Sequence, residues 1–144
     1  MPLEPGVVDT NVLVYALDVD APQHALSRAL LEASRRTSVT LYVTPQIVCE
    51  FYSVVTNPRR VLKPCSPAAA LAAISSLLGF LRFLPVPAHT VGELIRLLGR
   101  RPVTGGDVFD LQLLATMNVN GIHRIYTFNI DDFAAFSEIA AATP

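Results

Sequence analysis

The 144 residues are 51% hydrophobic and only 16% charged, with a mean hydropathy of +0.43, and 11 basic against 12 acidic side chains leave a net charge of -1. Chains of roughly 100–200 residues usually form one domain and bury about 68–70% of their unfolded surface near 150 residues, which disfavours disorder and a coiled coil and predicts a single domain over 1–144. Charged residues fall below the usual ~25%, so much of the apolar content belongs in a large core or a subunit interface, and a homo-oligomer is expected. A charge this close to zero does not by itself suggest a nucleic-acid partner.

Cys49 and Cys65 are the two cysteines, and Met1-Pro2-Leu3-Glu4-Pro5 has neither a basic n-region nor an apolar segment, the pattern of a reduced cytoplasmic protein. Cys49 reads as a buried thiol. The uncharged run from Pro64 to Leu81 reaches the ~18 residues at which a membrane span must be weighed. Its prolines, serines and Gly79 make it a core helix of a soluble protein instead.

In chain order, Gly6-Val7-Val8 is a short β-branched strand that stops at Asp9-Thr10-Asn11, and a short helix continues to Leu17. A second helix follows Pro22, with Ala25, Leu26, Ala29, Leu30 and Ala33 spaced along one face and Arg35-Arg36 at its C-terminus. Val39–Val43 is the next strand. Thr44-Pro45 then caps and starts a helix that runs to about Thr56. A helix over about Ser66–Leu81, a strand over Phe83–Val86 and a helix over Thr90–Arg100 follow. Gly105-Gly106 turns the chain into a long apolar helix from about Val108 to Asn120. Arg124–Phe128 is the last clear strand, and a weak one lies near Ile139–Ala142. Strands separated by helices, each too apolar to have a wet face, predict an α/β fold with a parallel sheet covered on both sides. Ligands of such sheets gather beyond the carboxyl ends of the strands.

That rule draws attention to the acids. Asp9 ends the first strand, where it either caps the next helix or serves a site, and Asn11 could do the capping. Glu50 lies at the border of the apolar sector formed by Ile47, Phe51, Val54 and Val55, close to the core unless a rim arginine pairs with it. Asp110 shares a helix face with Leu113, Leu114 and Met117 on a helix apolar all round, and an unpaired buried carboxylate there is costly. Asn129, Asp131 and Asp132 follow the last clear strand as a turn or as site residues. Asp107 reads as the cap of the long helix. Carboxylates converging on one edge repel each other unless a cation sits among them, and oxygen ligands without a Cys or His cluster suit Mg²⁺ or Mn²⁺. His24, His89 and His123 show no metal-ligand spacing and read as surface or turn residues. A metal-dependent phosphodiesterase is the natural chemical reading.

Four blocks of sequence, Gly6-Val7-Val8-Asp9-Thr10-Asn11, Thr44-Pro45-Gln46-Ile47-Val48-Cys49-Glu50-Phe51, Phe109-Asp110-Leu111-Gln112-Leu113-Leu114 and Ile125-Tyr126-Thr127-Phe128-Asn129-Ile130-Asp131-Asp132-Phe133, resemble in order those of PIN-domain ribonucleases of the VapC toxin type. The resemblance implies a three-layer α/β/α sandwich around a parallel sheet and Mg²⁺- or Mn²⁺-dependent endoribonuclease activity. It implies Asp9, Glu50, Asp110 and Asp132 as catalytic acids, and Asp9, Glu50, Asp110 and Asn129 as metal ligands. Either Asp132 or Asn129 fills the fourth position, and Asn129 cannot act as a base. Thr10, Asn11 and Thr127 are expected to support these groups. It further implies a homodimer and a VapB-like antitoxin laid across the apolar stripe of Leu71, Ile74, Leu77, Leu78 and Leu81, often with an arginine presented to the acids.

Two rivals stay open. One is a PIN-like RNA-binding module that no longer cuts. The other is a phospho-accepting receiver, although the only lysine, Lys63, lies in a proline-bounded loop rather than at a strand end. The near-neutral total also conceals an uneven distribution, since the segment from Phe51 to Gly106 holds seven bases against Glu93 alone. Among these, Arg59, Arg60, Lys63, Arg100 and Arg101 are candidate RNA contacts around an acidic metal site.

Overall fold

In the computed structural model, which describes residues 2–144, five short strands make one all-parallel sheet. They are β1 (Gly6–Val8), β2 (Leu41–Val43), β3 (Arg82–Phe83), β4 (Arg124–Tyr126) and β5 (Ala140–Ala142), in the spatial order β3-β2-β1-β4-β5. Parallel neighbours cannot be joined by tight turns, so the connections are long crossovers. Helices α1 (Thr10–Leu17) and α2 (His24–Thr37) link β1 to β2, α3 (Pro45–Val55) and α4 (Pro67–Leu78) link β2 to β3, and α5 (Thr90–Arg100) and α6 (Val108–Val119) link β3 to β4. Right-handed crossovers put α1 to α4 on one face and α5 with α6 on the other, in accord with the packing of α1 on α2 and α3, of α3 on α4, and of α5 on α6. The result is the expected three-layer sandwich. The chain moves outward from β1 to β3 and then returns to the other side of β1, so the winding reverses between β1 and β4.

Val7 and Val8 of β1, Leu41 of β2 and Ile125 of β4 are fully buried, and one continuous core joins them to Ile47 and Phe51 of α3 and to Leu111, Leu114 and Met117 of α6. Gly6 permits the β1–β4 pairing at its start. A Cβ there would lie 2.9 Å from the Arg124 carbonyl oxygen and 3.0 Å from the Tyr126 ring. The Tyr126 hydroxyl donates to the Glu4 carbonyl at 2.7 Å, and Arg124 pairs with the Glu4 carboxylate at 2.7 Å, so the residues before β1 are fastened to β4. Helix starts follow the sequence chemistry. Thr44 Oγ1 accepts from the Ile47 amide at 3.2 Å with Pro45 in the first turn, and Ser66 Oγ accepts from the Ala69 amide at 3.1 Å with Pro67 following.

The structure corrects several expectations. In α2 the buried face is Ser27, Leu30, Leu31 and Ser34, while Ala25, Leu26 and Ala29 face outward. The serines carry the same i, i+3, i+4, i+7 spacing, and Ser34 Oγ donates to the Val39 carbonyl at 2.7 Å, so small polar residues line a close contact that a hydrophobicity count assigns to the wrong side. Strand β3 starts one residue before the apolar run Phe83–Val86 and ends three residues before that run does, and both its residues are exposed, so the edge strand does have a wet face. Helix α4 stops at Leu78 because Gly79 follows, and its stripe is incomplete, with Leu77 and Leu81 buried and Leu71 exposed. Among the described residues no helix is long and apolar enough to cross a membrane.

Candidate functional site

The sheet's carboxyl edge collects the acids, each delivered by a different element. Asp9 follows β1 directly. Its Oδ1 accepts from the Thr10 amide at 2.7 Å, which makes it the N-cap of α1, and its Oδ2 accepts from Thr127 Oγ1 at 2.8 Å and Asn11 Nδ2 at 3.1 Å. Capping and site placement are therefore the same geometry rather than alternatives. Asn11 also donates to Thr127 Oγ1 at 3.1 Å and accepts from the Phe128 amide at 3.1 Å, and the Asn129 amide donates to Thr127 Oγ1 at 2.9 Å. This mesh ties β1 to the exit of β4, at the point where the winding reverses. Burial raises the Asp9 pKa above its ordinary value, the donated bonds from Thr127, Thr10 and Asn11 pull it back, and the Glu50 charge adds to the rise.

Glu50 projects from the second turn of α3. Its Oε2 accepts from Thr10 Oγ1 at 2.9 Å and its Oε1 from Gln46 Nε2 at 3.0 Å, and among the described residues it has no arginine partner. Thr10 thus faces two acids at once, donating its amide to Asp9 and its hydroxyl to Glu50. Gln46 also donates to the Phe109 carbonyl at 3.1 Å, linking the first turn of α3 to the first turn of α6.

Asp110 sits half-buried in that first turn of α6, while Leu113, Leu114 and Met117 on the same face are buried. Its pKa is pushed up to about 6, first by burial and then by the charges of Asp132, Asp9, Asp107 and Glu50. Four other carboxylates therefore act on Asp110 across this edge. Asp107 takes the N-cap position of α6, as expected, but makes no side-chain cap bond, and its charge acts on Asp110. Asp132 stands exposed in a single 3₁₀ turn, Ile130–Asp132, and is the first of the charges acting on Asp110. Asn129 is exposed one residue before that turn and bonds through its backbone. Among the described residues no three His, Cys, Asp or Glu side chains stand together closely enough to hold a metal ion by themselves. The arrangement is an electrostatically frustrated edge of oxygen donors, with two acids clamped by hydrogen bonds and a third held only by its helix.

A model of the PIN domain matches residues 6–140. The chain is 34% identical over 111 residues to ribonuclease VapC43 of Mycobacterium tuberculosis, covering 75% of each chain. The chain belongs to the VapC-type PIN-domain family. It is also 28% identical over 131 residues to ribonuclease VapC24 of the same organism, covering 90% of this chain and 89% of that protein. In fold it resembles M. tuberculosis VapC20, described as a toxin that cleaves the sarcin–ricin loop, with a TM-score of 0.70 at 21% identity over 96% of this chain and 98% of that one. The Rickettsia felis VapBC2 structure, bound to a DNA fragment from its promoter, gives a TM-score of 0.69 at 18% identity, covering 96% and 98%.

The candidate RNA contacts of this PIN domain divide by what they already touch. Arg101 lies with its guanidinium 4.9 Å from the Phe136 ring centroid and donates to the Ala135 carbonyl at 3.0 Å, which commits it to holding the C-terminal segment. Lys63 pairs loosely with Asp20 at 3.4 Å, both exposed. Arg59 and Arg60 stand exposed in the loop after α3, and Arg100 is exposed at the end of α5. His24 Nδ1 lies 2.8 Å from the Tyr15 carbonyl, and His89 and His123 are exposed. Cys49, expected to be buried, is exposed beside Glu50, because the helix turns its buried face to Ile47, Phe51 and Val55 instead. Sequence reasoning missed Gln46. Its position four residues before Glu50, one helical turn away, was the available signal.

Proposed function

We propose that this VapC-type PIN domain is a Mg²⁺- or Mn²⁺-dependent endoribonuclease, acting in the cytoplasm as the toxin of a toxin–antitoxin pair. The observation that carries the reading is that Asp9 and Glu50 are joined through Thr10 at one sheet edge, where Asp110 feels their charges and those of Asp107 and Asp132, with no cationic partner among the described residues. The donor set fits a hard divalent cation. Mg²⁺ keeps several waters and binds through one or two carboxylates plus substrate phosphates, so a fully closed protein cage is not required. A bound divalent ion polarises the scissile phosphate and lowers the pKa of a bound water.

The protein's own part is positioning. Thr127 and Asn11 fix the Asp9 carboxylate, Thr10 fixes Glu50 relative to it, and Gln46 holds the other Glu50 oxygen. Asp110 supplies the adjustable negative charge, and the Asp132 carboxylate acting on it supports Asp132 over Asn129 as the fourth acid. The same uncompensated acids suit the guanidinium of a VapB-like antitoxin, and the half-exposed α4 stripe suits a homodimer or antitoxin contact. A receiver reading fares worse, because Lys63 pairs with Asp20 in a loop.

Incubating the purified protein with total RNA, with Mg²⁺, Mn²⁺ or EDTA, and mapping new 5′ ends tests the proposal. Discrete cuts that EDTA abolishes and Asp9→Asn removes from a folded protein are expected. Cleavage that persists in Asp9→Asn, or that ignores EDTA, overturns it.

A further inference from the structure

Next to the acids lies a cavity of about 490 Å³ that shares Glu50 with them. It is bounded by α3, by α6 and by Val86 beyond β3, and its size falls in the range of small-ligand pockets. Among the described residues no lysine or arginine lines it to pair with a phosphate. Most of its polar groups are spent. Gln46 donates to Glu50 and to the Phe109 carbonyl, Thr44 Oγ1 accepts from the Ile47 amide, and Thr116 Oγ1 donates to the Gln112 carbonyl. Gln112 differs. Its side-chain amide is half-buried in the wall and, among the described residues, has no hydrogen-bond partner. One turn earlier on the same helix, Phe109 leaves 54% of its surface in water.

An uncommitted amide offers one donor and one acceptor in a plane, the pattern that pairs with a base edge, and an exposed ring beside it is a stacking surface for an unpaired base. Glu50 joins this cavity to the proposed phosphate-cleaving edge, so a nucleotide whose phosphate lies at the acids has its base within reach of the cavity.

We propose that this cavity is a nucleobase subsite, in which an unpaired base of the RNA next to the scissile phosphate stacks on Phe109 and is read by the Gln112 amide. The proposal rests on the ribonuclease reading above and adds a source of base preference to it. Gln112 and Phe109 are specificity residues here, while the acids act on the phosphate.

Two measurements test it. In the first, ¹⁵N-labelled protein is titrated with each of the four nucleoside 5′-monophosphates and with ribose 5-phosphate in EDTA, following the side-chain amide of Gln112. One base is expected to shift that signal more than the others, and ribose 5-phosphate is expected to leave it in place. In the second, a random-sequence RNA pool is cut by the wild type, Gln112→Ala, Gln112→Glu and Phe109→Ala, and the bases flanking the cut are counted. Gln112→Ala is expected to flatten the preference at one flanking position by about tenfold, Gln112→Glu to change which base is favoured, and Phe109→Ala to raise KM for every sequence.

An amide signal unmoved by any nucleotide, or a flanking preference identical in wild type and both Gln112 variants, overturns the subsite; a cavity covered by a second copy of the chain gives that silent titration. If the wild type cuts no RNA while one base still shifts Gln112, the ribonuclease reading fails and the subsite stands. If RNA is cut with an unaltered preference, the subsite fails and the ribonuclease reading stands.

Discussion

Replacing Asp110 with asparagine should make the metal-free protein more stable while removing its proposed activity. At pH 7 Asp110 is ionised among Asp132, Asp9, Asp107 and Glu50, and the folded chain holds its proton more tightly than the unfolded chain does. A rise from 3.8 to about 6 corresponds to about 3 kcal/mol at ~1.36 kcal/mol per pH unit, working against folding wherever the group is charged. Because Asp110 is only half-buried, solvent screening reduces this to about 1 kcal/mol. Asparagine keeps the shape and cannot ionise. The penalty is fully present above pH 6, shrinks as pH falls through the folded pKa and vanishes below the ordinary carboxyl pKa, where both states are protonated. In EDTA, Asp110→Asn should therefore raise Tm by about 2–4 °C at pH 7.5 and leave it unchanged near pH 3.5, read by calorimetry or by urea titration. Millimolar Mn²⁺ should stabilise the wild type and help the variant less. A variant that is no more stable at pH 7.5, or whose gain is equally large at pH 3.5, refutes the electrostatic account of this site.

Thr127→Val keeps the volume but deprives Asp9 Oδ2 of its 2.8 Å donor and the Asn129 amide of its acceptor; it should cost about 1–3 kcal/mol in urea denaturation. The lost bond lowers the Asp9 pKa in the wild type, so the acid limb of the pH–rate profile should move to higher pH, and an unmoved limb counts against a role for ionised Asp9. Gly6→Ala drives a methyl to 2.9 Å from the Arg124 carbonyl, and a loss of about 1–3 kcal/mol is expected because the opposing atom is backbone in a parallel pair. Arg101→Ala should lower stability by about 1 kcal/mol through its contacts with Phe136 and Ala135, and leave the salt dependence of RNA binding alone. Arg59→Ala with Arg60→Ala should do the reverse, reducing the slope of log affinity against log salt by about 0.7 per charge for single-stranded RNA. Equal slopes for all three proteins would remove Arg59 and Arg60 from the RNA surface.

The parallel α/β order was legible because β-branched runs, helix caps and prolines agree along the chain. The span of α5 matches the expectation to the residue, and α3 and α6 differ by one residue at their ends. What escaped was whatever depends on a partner element. The serine-lined face of α2 and the exposed edge strand β3 answer to close packing and to position in the sheet, neither of which is a property of local hydrophobicity. Within the site, Asp9 stood out because it ends an apolar strand, and Glu50 and Asp110 because each interrupts the apolar face of a helix. Thr10, Asn11 and Thr127 came from resemblance, and their bonds to Asp9 and Glu50 give that expectation a physical content. Gln46, Asp107 and Gln112 break no pattern. They matter through what α3 and α6 bring together, and the 3₁₀ turn that carries Asp107 into the acidic group has no periodicity to betray it.

The acids are not equivalent, and the fold explains the division. Asp9 lies where the winding reverses, so β1 and β4 are both present to supply donors, and neighbouring α3 lets Thr10 tie Glu50 into the same mesh. Asp110 enters on a helix from the opposite face, with no donor of its own among the described residues, and its charge is opposed by four others. Clamped acids define a place for positive charge, while the raised pKa of Asp110 relieves the mutual repulsion only as pH falls toward 6. Binding of a cation at this edge would release a proton from Asp110 only as pH falls toward 6. On the function proposed above, an antitoxin guanidinium and a divalent ion would compete for one deficit of positive charge, and inhibition would need no distortion of the sheet, only occupation of its carboxyl edge.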